Sequence, residues 1–464
     1  MSKKKPCKTV DILKEHRHVF GLIISKCASK EEGFSFPMTY YPLPIAKSEE
    51  LLYSSEKAKF RNDVIDESYS SLPLSDAAWI VDAGYAIRQV KPKATYREFY
   101  NDLLKWMIPD SIHSPRRLII CIDDYREKST KDGERKDRRD GKEEGKRIYV
   151  SGAEQIMPKG KLKWADFLSN GKNKNDLMQC FGTYLKTEEA SRKLNGLELI
   201  FCGRKSIWSI RGDVVTEHGP CNHEEADTKI PLFASSAGCN VVCIAQDCDI
   251  LILLIFAFAN VRPEFRWQLR YEYAKFAEVN SIYDNLGDHV SKLLIHYHAI
   301  SGCDTTSYFF RRGKILPFKK ALKSGSLSLL AGLGEDVKIS TRDIAACKEF
   351  IRTVMYQGEP KDSYLQTRMN LMMNRLQSPK QRSPYHLTNK LTLNTFYGAI
   401  TEYIAGNAAT SPSYQILICL RMGGSCRQMV WLSQCGMQDH SYHHLVRNHL
   451  VRKLRRRLMG TKLT

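Results

Sequence analysis

The sequence predicts an α/β protein with a mostly parallel sheet flanked by helices, and three observations carry that expectation. Residues 77–82, 117–124 and 240–249 are short apolar runs that each end in carboxylates. Segments with apolar residues at helical spacing lie between them. The run Asn240-Val241-Val242-Cys243-Ile244 shows no polar alternation, which is how a parallel strand buried on both faces reads. In an open α/β sheet the carboxyl ends of such strands line the ligand crevice, so these acids are the first candidates for a site.

The chain has 464 residues, long for one domain, and its 42% apolar share is ample for a core. The boundaries read as an N-terminal extension over 1–75, an α/β domain over 76–325, and a helical C-terminal region with a basic tail over 326–464. Lys and Arg number 71 against 51 Asp and Glu, a formal net charge of +20. Such an excess favours a polyanionic partner, with nucleic acid ahead of an anionic membrane surface. Met1-Ser2-Lys3-Lys4-Lys5-Pro6-Cys7 is charged, with no apolar run of signal-peptide type behind it. The longest apolar stretch, 250–259, falls well short of the ~20 residues needed to cross a bilayer. The expectation is therefore an intracellular, nuclear protein with no membrane association. Its fourteen cysteines read as mostly reduced, buried thiols. Neither Cys239, Cys243 and Cys248 nor Cys426, Cys435, His440 and His443 have regular zinc-ligand spacing.

The elements follow in order. Residues 35–45 are aromatic and proline-rich, like an extended segment packed on something else. The run 77–82 is a strand ending at Asp82 and followed by a turn. Residues 96–107 (YREFYNDLLKWM) are an amphipathic helix. The strand 117–122 delivers Asp123 and Asp124. After it comes a charged stretch, 126–147, with ten basic and seven acidic residues; by composition it is a solvated helix or loop, and by position a phosphate-contacting arm. Residues 164–185 are helical with a break near Gly171, and 197–202 and 205–210 are strands. A helix opens at 222–229 with Glu224, Glu225 and Asp227 in or before its first turn. Those acids are ordinary dipole partners there, yet Glu224 and Asp227 also share a face. Asp247 equally suits the N-cap of a helix starting near Asp249. Residues 265–269 and 275–279 are strands, 286–300 a helix, and Asp304 lies just past its end. Beyond 323 the patterns are short and helical, over 341–356 and 363–376, and the terminus carries Arg455-Arg456-Arg457.

In a parallel sheet Asp82, Asp123, the Glu224/Glu225/Asp227 group, Asp247/Asp249 and Asp304 would converge on one edge. Carboxylates packed so closely repel and raise one another's pKa unless a cation neutralises them. Oxygen ligands without paired Cys or His spacing suit Mg²⁺ or Mn²⁺. Two such ions about 4 Å apart serve phosphodiester hydrolysis.

Val81-Asp82-Ala83, Ile122-Asp123-Asp124, His223-Glu224-Glu225-Ala226-Asp227, Gln246-Asp247-Cys248-Asp249 and Ser301-Gly302-Cys303-Asp304 resemble, in order and spacing, the acidic motifs of the flap-endonuclease branch of PIN-like 5′-nucleases, including the long PIN-like proteins of invertebrates and fish. The resemblance covers about residues 76–322. It implies a Rossmann-like PIN/5′-nuclease fold and a two-metal site held by Asp82, Asp123, Glu225, Asp247, Asp249 and Asp304, with Glu224 or Asp227 completing the set. It also implies that Lys131 and Arg138, seven residues apart, hold the scissile phosphate, and that Arg311, Arg312 and Lys314 occupy a nucleic-acid-binding turn. The chain departs from that pattern at His223, which falls where the family has a carboxylate, at Asp124, and in the glycine-poor 309–314 turn. The reading that follows from the resemblance is a Mg²⁺- or Mn²⁺-dependent nuclease acting on DNA ahead of RNA; the alternative is a catalytically inactive PIN-like nucleic-acid-binding protein of mobile-element origin.

Overall fold

The computed structural model describes residues 57–370, apart from 109–114, 126–143, 159–162, 335–339 and isolated positions that include Asp304 and Arg311, together with a few residues between 18 and 29. The expectations at Lys131, Arg138, Asp304, Arg311, Cys426, Cys435, His440 and His443, and those for the basic tail, lie outside the described residues. The chain forms two compact units. Lys57–Ile295 carry the α/β architecture, and the described residues from His296 onward belong to the second.

The α/β unit opens with helix α1 (Lys57–Ile65) and a two-residue strand, β1 (Tyr69–Ser70). Both fall inside the stretch expected to be an extension, because β1 pairs antiparallel with a strand more than 200 residues later. Strand β2 (Ala77–Asp82) runs directly into helix α2 (Ala83–Gln89), and α3 (Tyr96–Met107) returns the chain to β3 (Arg117–Cys121). Thr95 caps α3 by accepting from the Glu98 amide. Helices α4 (Trp164–Ser169) and α5 (Gly171–Tyr184) break at Asn170, whose side chain accepts from the Asn173 amide and so starts the second helix. Helix α6 (Glu188–Leu194) ends on Asn195 at φ 48° and leads to β4 (Glu198–Cys202).

A meander, β5 (Ile207–Arg211) and β6 (Val214–Gly219), extends that edge. Helix α7 (Ala226–Ser236) then precedes β7 (Asn240–Ile244), α8 (Cys248–Val261), β8 (Trp267–Glu272) and β9 (Lys275–Glu278). Helices α9 (Val279–Leu286) and α10 (Asp288–Ile300) follow.

Among the described residues the strands form one sheet in the order β1-β9-β8-β7-β2-β3-β4-β5-β6. The central five, β8-β7-β2-β3-β4, are mutually parallel, and the flanking pairs are antiparallel. Taken in chain order the parallel strands run 3-2-1-4-5, with the direction of winding reversing between β2 and β7. In doubly wound sheets the crevice that takes ligands lies at the carboxyl ends of the strands beside such a reversal.

Both faces of the centre are covered, which explains the continuous apolar runs. Ala77, Trp79 and Val81 of β2 join Leu118, Ile120, Val242 and Ile244 in one core with residues of α2, α3, α5 and α6. The alternate residues Ala78, Ile80, Ile119 and Val241 are also buried, on the opposite side of the pleat. Helix α8 is apolar around nearly its whole circumference, with Ile250 to Ile255 all buried.

In the second unit, α11 (Ile315–Ser324), a 3₁₀ turn (Ser326–Leu330) and α12 (Thr341–Phe350) follow. The helix expected over 341–356 changes at Ile351 into a π turn (Ile351–Met355). Among the described residues no helix is long and apolar enough to cross a membrane.

Candidate active site at the carboxyl edge of the sheet

The parallel register fixes where the acids fall. Val81 pairs with both Ile120 and Ile244, and Asp82 with Cys121. Asp82, Asp123 two residues past Cys121, and Asp247 three past Ile244 therefore share the carboxyl edge, and β2 and β7 flank the crevice.

Asp82 and Asp123 are brought together. A Cβ placed on Gly84 would stand 3.2 Å from Asp82 Oδ1, 3.7 Å from Asp123 Oδ2 and 3.7 Å from Tyr125 Oη. Burial and, next, the Asp123 carboxylate push the Asp82 pKa from 3.8 up to about 7. The backbone amides of Tyr85 and Gly84 oppose that rise without cancelling it. Asp82 also caps α2, its Oδ1 accepting from Tyr85 N at 3.2 Å.

The other oxygen of Asp123 ties in the loop before α7. Its Oδ1 accepts from Ala226 N at 2.9 Å. It thus caps a helix whose own N-cap residue, Glu225, makes no side-chain cap bond. The Asp124 amide donates to the Glu224 carbonyl at 2.6 Å. Lys229, 1% exposed, donates to the Ile122 carbonyl and fixes α7 against the end of β3. These contacts hold the backbone at Glu224 and Ala226 beside Asp124 and Asp123. Glu224 Oε1 is buried with no hydrogen-bond partner among the described residues. His223 bonds Thr228 Oγ1 at 3.1 Å. Burial and then the Lys229 charge lower its pKa, so the imidazole is neutral at neutral pH.

Asp247 fulfils both readings of the sequence: it stands past a strand end, and it caps α8 by accepting from Asp249 N at 3.1 Å. Asp249 differs from the expectation of an open ligand. Its carboxylate is nearly buried and lies 2.7 Å from Lys57 Nζ. Arg61, one turn along α1, donates to the Gln246 carbonyl at 2.6 Å and lies over the Tyr271 ring. Helix α1 is thus a basic brace across the β7–α8 turn.

Two expectations change character in the second unit. Lys314 is buried, its ammonium donating to the His298 carbonyl at 2.9 Å and Ser301 Oγ at 3.0 Å and lying 3.1 Å from His298 Nδ1. A group so enclosed ties the end of α10 to the start of α11 and does not face a phosphate. Arg312 lies over the Tyr356 ring at 5.0 Å. The buried thiols Cys239, Cys243 and Cys248 are free cysteines.

The residues missed in the sequence are Lys57, Arg61, Gly84 and Tyr125. Gly84 and Tyr125 adjoin the acidic motifs and carried that much of a signal; Lys57 and Arg61 carried none. Among the described residues no three His, Cys, Asp or Glu side chains are gathered closely enough to hold an ion as they stand. No family model and no curated protein matches the chain.

Proposed function

We propose that this chain is a Mg²⁺- or Mn²⁺-dependent nuclease of PIN-like type, hydrolysing phosphodiester bonds in DNA and, as a second substrate class, RNA. One observation carries the reading: Asp82 and Asp123 converge at the winding reversal of the sheet, where burial first and the Asp123 carboxylate second lift Asp82 to about 7. An acid pair that destabilises its own fold is the pattern of a functional site. Mg²⁺ keeps several waters and is held by one or two carboxylates plus substrate phosphates, so a two-carboxylate start fits it. Glu224, with its buried unmatched oxygen, is the next donor along the tied loop. When bound, two such ions activate water and stabilise the leaving oxygen.

The chain's own residues do the positioning. Ala226 N orients Asp123 through Oδ1 and leaves Oδ2 toward Asp82. Asp247 stands on the far side of the crevice, held by its cap bond. The net charge of +20 draws the polyanion.

A second reading, a silent nucleic-acid-binding protein, is favoured by one specific contact. Asp249 is already neutralised by Lys57 at 2.7 Å. Cleavage of labelled single-stranded, duplex and 5′-flap oligonucleotides with Mn²⁺ separates the two readings. Cleavage that Asp82→Asn abolishes supports the nuclease; binding without cleavage by the wild type moves the conclusion to the silent module.

A further inference from the structure

Tyr125 follows the second acidic strand, and three residues of one helix hold its backbone and its side chain. The Asn175 side chain brackets its backbone, accepting from Tyr125 N at 3.2 Å and donating to Tyr125 O at 3.2 Å. Lys174 Nζ stands 3.8 Å from the ring centroid. Gly171, the first residue of α5, packs so close that an added Cβ would lie 3.2 Å from Tyr125 Cβ and 3.5 Å from Cγ. Three residues within little more than one turn of one helix thus hold Tyr125, and the approach at Gly171 is closer than most Cβ contacts allow.

The clamp points the hydroxyl at the acid pair. Tyr125 Oη, Asp82 Oδ1 and Asp123 Oδ2 all lie within 3.7 Å of the space that Gly84 leaves open. A cation over a ring face withdraws electron density from it and makes the phenol a stronger donor. A carboxylate pair that holds a cation also gathers phosphate oxygens, and a fixed O–H beside it is placed to donate to one of them.

Resting on the nuclease reading, we infer that Tyr125 is a substrate-contacting residue whose hydroxyl donates to a phosphate oxygen at the Asp82/Asp123 pair. Its ligand class is a nucleic-acid phosphodiester. Lys174, Asn175 and Gly171 are the positioning residues behind it.

The test uses the full chain and Tyr125→Phe, which keeps the ring and every clamp contact. Three quantities are read: melting temperature with and without Mn²⁺, anisotropy of a fluorescein-labelled single-stranded oligonucleotide with Ca²⁺, and its single-turnover cleavage with Mn²⁺. Loss of one hydrogen bond to a charged group is expected to slow cleavage about tenfold or more. Melting temperature and its Mn²⁺ response are expected to stay at wild-type values, with affinity within about twofold, since the other phosphate contacts remain. A Tyr125→Phe rate equal to wild type overturns the inference alone. Loss of the Mn²⁺ response in Tyr125→Phe also overturns it, by making the hydroxyl a support of the carboxylates. A wild-type protein that neither binds nor cleaves the oligonucleotide overturns the nuclease reading and takes the inference with it.

Discussion

Asp82→Asn is expected to stabilise the metal-free protein at neutral and alkaline pH. Asp82 ionises at 3.8 in an unfolded chain and near 7 in the folded one. Between those values the folded state holds a proton that the unfolded state has released, so stability falls as pH rises through the window and levels off above 7. The full difference converts to roughly 4 kcal/mol at about 1.4 kcal/mol per pH unit. Asp82 keeps partial solvent contact at the strand end, so about 1–3 kcal/mol is the expected gain. Asparagine retains an oxygen to accept from Tyr85 N and so preserves the helix cap. For a unit of this size the gain corresponds to a rise of roughly 2–10 °C in melting temperature. Thermal unfolding in EDTA near pH 4, 6 and 8, followed by circular dichroism, reads it directly. The variant and the wild type should nearly coincide at pH 4 and separate progressively toward pH 8, with the wild type recovering when Mn²⁺ is added. A variant less stable than wild type by the same amount at every pH would refute the reasoning, because the carboxylate would then carry no unneutralised charge.

Three further substitutions probe the surroundings. Lys57→Met removes the ammonium 2.7 Å from the nearly buried Asp249 carboxylate and is expected to cost about 3 kcal/mol in urea denaturation; a cost below about 1 kcal/mol would mean the pair is effectively solvated. Gly84→Ala adds a methyl 3.2 Å from Asp82 Oδ1, tight enough to displace that carboxylate by a few tenths of an ångström, so the Mn²⁺-induced rise in melting temperature should shrink. Retention of the full Mn²⁺ response in Gly84→Ala would show that the ion sits elsewhere. Lys314→Met strips a donor from Ser301 Oγ and the His298 carbonyl, at an expected cost of about 1–3 kcal/mol; oligonucleotide affinity measured by anisotropy should not change, and a large loss would restore Lys314 as a phosphate contact.

The sequence disclosed most where burial was uniform. β2, β3 and β7 are covered on both faces, so they run apolar without interruption and end where the carboxylates begin. Helix α3 was equally plain from its sharp apolar stripe, and the break expected near Gly171 falls where the Asn170 side chain caps α5. β6 is exposed along nearly its whole length and shows no alternation to read. Helix α1 has almost no apolar stripe, and its role depends on Lys57 meeting Asp249 across 192 residues of chain. The acids themselves were legible as residues at strand ends, but their division of labour was not. Asp123 turned out to cap α7 through one oxygen, Asp249 to face a lysine, and Asp247 to cap α8. Each of those outcomes is set by a partner that only the fold supplies.

The central claim is that the Asp82/Asp123 pair holds a divalent cation. Calorimetric titration of Mn²⁺ into the wild-type protein near pH 8, near pH 6, and into Asp82→Asn/Asp123→Asn near pH 8 tests it most directly. Saturable binding near pH 8 that weakens near pH 6, as Asp82 takes up its proton, and vanishes in the double variant is the expected result. Binding that is unchanged in the double variant, or absent from the wild type, would contradict the claim.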